Sequence, residues 1–190
     1  MRIPAFLAAF AAFAVFGAAA QPPDAQALLV AQKEAMKAFS AMNGVWRGPA
    51  WTIIPGGKKL ELTQTERAGP MLDGTLKVVE GRGYLPDGTL GFNAFGVISY
   101  DVRAKKYTMR SWAMGQSGEF AITPTADGYV WERPAGPGAI MRYTASVKGD
   151  TFSETGEFIA EGRPPARIFE MNLKRVGDTA WPAGDAAPMR

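Results

Sequence analysis

The order of apolar and polar positions divides the chain into three parts and a tail. Residues 1–20, MRIPAFLAAFAAFAVFGAAA, are apolar almost throughout. In residues 21–44, apolar residues recur at helical spacing. In residues 45–176, apolar residues occupy every second position in short runs that are separated by turn-forming residues. Residues 177–190 show no periodicity. The pattern predicts a leading segment, one helix, a long β domain and a loose tail.

The segment 21–44 predicts a single amphipathic helix. Asp24 follows two prolines and suits the N-cap position, while Gly44 suits the left-handed position that ends a helix. The apolar stripe consists of Leu28, Ala35, Met36, Phe39 and Met42. We expect this stripe to be a packing face, because methionine fills irregular core space well.

Residues 45–176 predict about ten short strands, from Val45–Ile54 and Lys59–Arg67 to Ala166–Val176. Turn-forming residues join them, and no second helix intervenes, so each strand is expected to pair with the next. An open meander leaves two unpaired edges, which closure removes. Closure at about eight to ten strands leaves room for one small ligand. The predicted fold is a single antiparallel up-and-down β-barrel with one N-terminal α-helix.

The first residues have the layout of a secretory signal peptide. Arg2 supplies the positive charge, an apolar run follows, and Ala18 to Ala20 supply the small residues of a cleavage site. We expect cleavage after Ala20, a periplasmic or secreted protein, and no stable membrane span afterwards. The less favoured alternative is an uncleaved anchor, since the apolar run is short for a span.

Composition narrows the chemistry. The chain has no Cys and no His, which excludes Ser-His-Asp and Cys-His catalysis and removes the usual ligands of soft metals. We therefore predict no catalytic residue of these classes, no metal and no cofactor. The net charge is only +3, and the Lys and Arg residues are scattered, so no nucleic-acid surface is predicted.

The stretch NGVWRG places Gly44 and Trp46 between the predicted helix and the first strand. In RIFEMNLKR, apolar residues occupy every second position, and Arg175 lies on the same strand face as they do. This arrangement resembles the lipocalin signature. The resemblance implies that Trp46 lies across the closed end of the barrel, beneath the helix, and that Arg175 packs over its ring.

Longer stretches resemble a bacterial family of exported proteins that carry a lipocalin-like domain of unknown function. They are NGVWRGPAWTI, TQTERAGPMLDGTLKVVEGRGY, FNAFGVISYDVRAKKYTMRSW and RIFEMNLKRVGD. The resemblance covers most of residues 45–176 and implies the same fold. The family has no settled activity, so it implies no catalytic residues.

Charged residues inside strands are the candidate ligand contacts, because alternate residues of a barrel strand point inward. The pair we favour is Arg110 with Trp112, which would offer a guanidinium to a carboxylate and an indole to an apolar body. The alternative is that Arg110 faces water and pairs across strands. The other candidates are Glu80, Glu132 and Arg142.

These features favour a binding protein over an enzyme. The preferred function is to hold a small hydrophobic or amphipathic molecule in the barrel. A carboxylate-based hydrolase or isomerase is the first alternative, supported if Glu80 and Glu132 met in a cleft. An envelope scaffold is the second, supported if Trp51, Trp131 and Trp181 formed one exposed patch. A homodimer through a barrel face is compatible with all three functions.

Overall fold

The computed structural model describes residues 24–179. The predicted signal peptide, its cleavage site after Ala20 and the side chain of Trp181 lie outside the described residues. Helix α1 spans Ala25–Met36, and 3₁₀ turns span Lys37–Met42 and Leu72–Gly74. The strands are β1 Gly44–Ile53, β2 Lys59–Met71, β3 Leu76–Tyr84, β4 Leu90–Asp101, β5 Lys106–Ala113, β6 Gln116–Pro124, β7 Gly128–Gly136, β8 Ala139–Lys148, β9 Thr151–Ala160 and β10 Ala166–Gly177.

The strands form one closed antiparallel barrel. Each strand pairs with the next along the chain, and β1 closes the barrel by pairing with β10. The predicted fold is therefore confirmed, with ten strands and a single N-terminal α-helix. The meander follows from the short turns, because antiparallel neighbours need only a few residues to connect them.

The two ends of the barrel differ. Helix α1 and the 3₁₀ turn Lys37–Met42 lie at the end where β1 begins, and we call this end the floor. The opposite end, which we call the mouth, carries the connections 54–58, 85–89, 114–115, 137–138 and 161–165. The floor is plugged by apolar side chains of the helical segment, so the interior is reached from the mouth.

The helical segment is less regular than the pattern predicts. The Asp24 carboxylate accepts a hydrogen bond from the Gln26 amide at 3.1 Å, as expected of an N-cap. The α-helix gives way to a 3₁₀ turn after Met36, and Gly44 already belongs to β1. The tighter turn brings both Phe39 and Met42 onto the barrel, where each is buried together with Met36. Leu28 and Ala35, at the other end of the predicted stripe, are only half-buried.

Trp46 is the centre of the floor. Its side chain is fully buried, and its indole N–H donates to the Met42 carbonyl at 2.9 Å. The guanidinium carbon of Arg175 lies 5.3 Å from the Trp46 ring centroid, so the predicted cation–π contact is present. Arg175 also donates to the Asn43 carbonyl at 2.5 Å. This contact ties the last strand to the residue that links the helical segment to the first strand.

Gly44 makes this arrangement possible. Its φ of +146° is one that residues with a side chain rarely adopt. A Cβ at this position would lie 2.5 Å from Nη1 of Arg175. The glycine is therefore required twice, once by the backbone turn and once by the cation that packs against it.

Lys77 is a second cation at the floor, and it is buried. Its ammonium donates to the Asn43 side-chain carbonyl, so Asn43 is held through its main chain by Arg175 and through its side chain by Lys77. Burial lowers the pKa of Lys77 to about 8. The floor thus contains a polar clamp beside its apolar plug.

Candidate functional site: the barrel cavity

A cavity of about 560 Å³ occupies the barrel above the floor. This volume lies within the range of small-molecule sites. Most of the lining is apolar or aromatic, including Leu60, Leu62, Val79, Phe92, Ile98, Met109, Phe120, Ile122, Trp131 and Phe169. The barrel is therefore not filled by its own side chains.

Small residues at inward positions leave this space empty. Ala94 and Gly96 line the cavity from β4, and Ala113 lines it from β5, whereas Gly118 of β6 makes room for the Phe120 ring. A Cβ added at Gly96 would make ordinary contacts, the nearest with Sδ of Met109 at 3.8 Å, so this position admits a side chain without a clash. A run of large inward residues would have given a packed core instead.

Glu66 projects into the deep end of the cavity from β2. It is the cross-strand partner of Trp46 in the pairing of β1 with β2, which places it near the floor. Its carboxylate accepts a hydrogen bond from the amide of the buried Gln64 at 2.7 Å. Gly81 of β3 makes room for it, because a Cβ there would lie 2.7 Å from Oε1 of Glu66.

Glu154 enters the same region from β9. It is buried, and its Oε1 accepts the indole N–H of Trp131 at 2.9 Å. The Tyr129 hydroxyl also hydrogen-bonds to this carboxyl group. The barrel therefore brings two acids from distant strands into one apolar chamber.

Both acids hold their protons more tightly than exposed carboxyls do. Burial raises the pKa of Glu66 to about 8, and the neighbouring charge of Glu154 contributes to the rise. Burial raises the pKa of Glu154 to about 7, although its bonds from Trp131 and Tyr129 favour the charged form. Near neutral pH the pair can therefore both donate and accept protons.

An aromatic layer lies above the acids. Trp131 and Tyr143 stack with ring centroids 4.2 Å apart and planes 9° from parallel. Phe120 packs against the same indole at 5.4 Å, and Phe169 lies 6.1 Å from Tyr143. Gly156 of β9 admits the Tyr143 ring, because a Cβ there would lie 2.8 Å from it. The two Phe rings are tilted against this stacked pair, and the four rings together form a wall in the middle of the cavity.

Arg133 lines the cavity nearer the mouth and is the one cation among the described lining residues. It lies four residues beyond Tyr129 along β7, about 13 Å at ~3.3 Å per residue. Its side chain makes no hydrogen bond or ion pair with residues 24–179. The cavity is thus acidic at its floor, aromatic in the middle and basic near its mouth.

The barrel wall is incomplete between β6 and β7. These strands pair only at Ile122–Trp131, Thr123–Val130 and Pro124–Tyr129, all close to the floor. From there to the mouth, residues 116–121 and 132–136 do not pair with each other. Gly118, Phe120 and Arg133 line the cavity along this gap, so the interior widens on this side.

The predicted inward orientation of Arg110 and Trp112 is corrected by the structure. Both face outward, with Trp112 41% exposed and Arg110 stacked over its ring at 5.2 Å. Phe95 of β4 packs beside the indole on the same outer surface. The inward residues of β5 are Met109, Ser111 and Ala113. For Arg110 the structure shows the alternative, in which the side chain faces water. The inward orientation is wrong because an aromatic residue such as Trp112 does not by itself mark the interior.

The remaining candidates also lie on the outer face. Glu80 pairs with Arg82 at 2.5 Å, and Glu132 pairs with Arg142 at 2.6 Å. Because Glu80 and Glu132 do not line the cavity, they do not form the acid pair that would support an enzyme. Exposed ion pairs of this kind contribute little to stability.

The structure also separates the tryptophans considered for a scaffold surface. Trp131 faces the cavity, and Trp51 lies on the outer face beneath the Lys59 ammonium, 4.9 Å from its ring. The two do not form a common patch. Trp181 lies outside the described residues.

The sequence contains a signal for the cavity residues that the pattern did not predict. Glu66 and Gln64 share strand parity with Leu60 and Leu62, and Glu154 shares it with Phe152. An acid that continues an apolar face is a better candidate for the interior than one that breaks an alternating surface. Arg133 likewise shares strand parity with Tyr129 and Trp131, so the same rule makes it a candidate for the interior.

Within residues 24–179, acidic side chains do not gather in groups of three that could hold a metal ion. No helix in this part of the chain has both the length and the apolar character required to cross a bilayer.

Comparison with known proteins supports the fold alone. The chain matches no family model and no curated protein. It is similar to the crystal structure of Rv2717c from M. tuberculosis, with a TM-score of 0.56 and 15% sequence identity. The match covers 74% of this chain and 96% of that one. At this identity the likeness concerns the path of the barrel and carries no statement about a ligand.

Proposed function

We propose that this protein binds a small, mostly apolar molecule inside its barrel. The observation that carries the proposal is the cavity of about 560 Å³, which its own side chains do not fill and whose walls are mainly apolar and aromatic. An apolar ligand gains free energy by leaving water for such a chamber. Polar groups at the two ends would orient it.

The test uses 1-decanol as an uncharged probe, with calorimetry and intrinsic tryptophan fluorescence as readouts, since Trp131 lines the cavity. The variant Gly96→Leu fills the cavity from a position where a Cβ makes only ordinary contacts. We expect it to weaken decanol binding by about tenfold or more while the fold is retained, since excluded volume opposes the ligand directly. Ala121→Leu, on the outer face of β6, is the matched control and should bind as the wild type does. Failure of the wild type to bind decanol would contradict the proposal.

A carboxylate-based hydrolase is the second candidate, and the juxtaposition of Glu66 and Glu154 favours it. Glu154, with the lower pKa, would remove a proton from an attacking water, and Glu66 would give its proton to the leaving oxygen. The probe is p-nitrophenyl decanoate. Turnover that falls about 100-fold in Glu154→Gln would support catalysis. If the wild type hydrolyses the ester no faster than Glu154→Gln does, or not at all, binding stays the proposed function.

We propose a periplasmic or secreted location, as the leader pattern at 1–20 suggests, and membership of the exported lipocalin-like family that the sequence resembles. Fractionation of cells that express the full chain would test the location. A product trimmed to begin at Gln21 is the expected result. Analytical ultracentrifugation of the same material tests the homodimer.

A further inference from the structure

We propose that the cavity selects amphipathic amines, with the ligand's ammonium group held at the floor between Glu66 and Glu154 and its apolar body in the aromatic layer. This inference rests on the proposed function and specifies its ligand class.

The first argument is the distribution of charge inside the cavity. The two polar groups able to carry charge at its deep end are both carboxyls, and they enter from β2 and β9. Each is only partly satisfied by neutral donors, namely Gln64 for Glu66, and Trp131 with Tyr129 for Glu154. An ammonium offers three further donors and a full positive charge. It would let both acids ionise, which repulsion and burial oppose in the empty cavity.

The second argument is the wall above the acids. The Trp131 and Tyr143 rings cover one face of each other, and both line the cavity that also contains Glu154. Aromatic rings offer an apolar surface to an alkyl chain, so this wall suits the apolar body of an alkylamine. Glu154 itself is tied to this wall through the Trp131 indole.

The third argument concerns the opposite orientation. A carboxylate-bearing ligand placed with its head at the floor would meet two acids, and neither of the floor cations, Arg175 and Lys77, lines the cavity. It could bind only with its head at Arg133, near the mouth. There the guanidinium is half-buried and in reach of water, so the pair gains less than one formed deep in the cavity.

The experiment compares three probes of equal chain length: decylamine, 1-decanol and decanoate. Calorimetry with the full chain near pH 7.5 should give decylamine about tenfold tighter binding than decanol, and decanoate the weakest binding of the three. The protein's overall positive charge opposes amines at the surface, so the preference cannot come from the net charge. Glu66→Gln/Glu154→Gln should abolish the amine preference while decanol still binds, which also shows that the variant is folded.

The matched control is Glu119→Gln/Glu157→Gln, which removes two charges from the outer face and should keep the amine preference. If all three probes bind equally, or if decanoate binds best and loses affinity in Arg133→Gln, the amine inference fails and the binding function stands. An amine preference that survives in the cavity double variant also overturns the inference. If none of the three binds, the binding function itself fails.

Discussion

At the scale of single residues, the two cavity acids link the cavity to the pH dependence of stability. The pKa values of Glu66 and Glu154 are raised from the usual 4.5 to about 8 and about 7. Between pH 4.5 and these raised pKa values, the folded protein binds more protons than the unfolded chain does. The stabilisation from these groups is therefore complete below the unfolded pKa and is lost as the pH rises through the folded values.

We accordingly expect the free energy of unfolding to fall between about pH 5 and pH 8, because a pKa difference of one between the folded and unfolded states corresponds to about 1.4 kcal/mol. Urea denaturation at several pH values measures the slope. Glu66→Gln/Glu154→Gln should flatten it, while Glu119→Gln/Glu157→Gln should not. Lys77 acts in the opposite direction, since its lowered pKa makes stability rise with pH between about 8 and its usual 10.5. Parallel slopes for wild type and the cavity variant would contradict the assignment.

Gly44 and Arg175 form a second residue-scale unit. Gly44→Ala imposes both an unfavourable φ and a collision with the guanidinium, so we expect a loss of about 2–4 kcal/mol in the free energy of unfolding. In an Arg175→Met background the collision is removed and the backbone strain remains. The two substitutions together should therefore cost less than the sum of their separate effects.

Urea denaturation of the four proteins in this cycle tests that prediction. Gly177→Ala serves as the control, because a Cβ there meets nothing and the residue does not have a positive φ. Additive costs would show that Gly44 is required only by the turn.

At the scale of secondary-structure elements, the weak point is the seam between β6 and β7. Amide groups that face an unpaired edge are protected poorly from exchange. We expect peptides covering 116–121 and 132–136 to exchange deuterium faster than those of β9 (Thr151–Ala160), which is paired on both sides. Hydrogen exchange followed by mass spectrometry measures this difference. Equal protection of the three segments would show that the seam is closed in solution.

Element boundaries show how far local patterns reach. The apolar alternation and the turns locate every strand, but they predict an end of β2 at Arg67, whereas the strand continues to Met71. Pro70 lies in that extension, and proline is usually disfavoured in a paired strand. Pairing with Lys77 of β3 nevertheless carries the strand onward. Here the sheet overrides the local preference.

At the scale of the whole molecule, the helical plug and the barrel share one core. Phe39 is buried and contacts Tyr107 and Tyr129, with ring centroids at 5.4 and 6.3 Å. Met42, from the same 3₁₀ turn, accepts the Trp46 indole bond through its carbonyl. The plug should therefore unfold together with the barrel and not before it.

We expect Phe39→Ala to cost about 3–5 kcal/mol in the free energy of unfolding and to preserve a single transition. Circular dichroism and tryptophan fluorescence, recorded in the same urea titration, should give coincident curves. Leu29→Ala, at an exposed position of α1, is the control and should change stability little. Separate transitions for the two signals would show that the plug is an independent unit.

The sequence by itself determined the helix, the meander of strands and the closure of the sheet, because spacing, turns and unpaired edges are local or countable properties. The resemblance to the lipocalin signature, together with the position of Arg175 on its strand, also predicted that Gly44, Trp46 and Arg175 meet. Only the tertiary structure decided which face of each strand turns inward. A period of two is the same for both faces, and here Trp112 lies outside while Glu66 and Glu154 lie inside. Those two acids come from β2 and β9, and only the curvature of the closed barrel makes them neighbours.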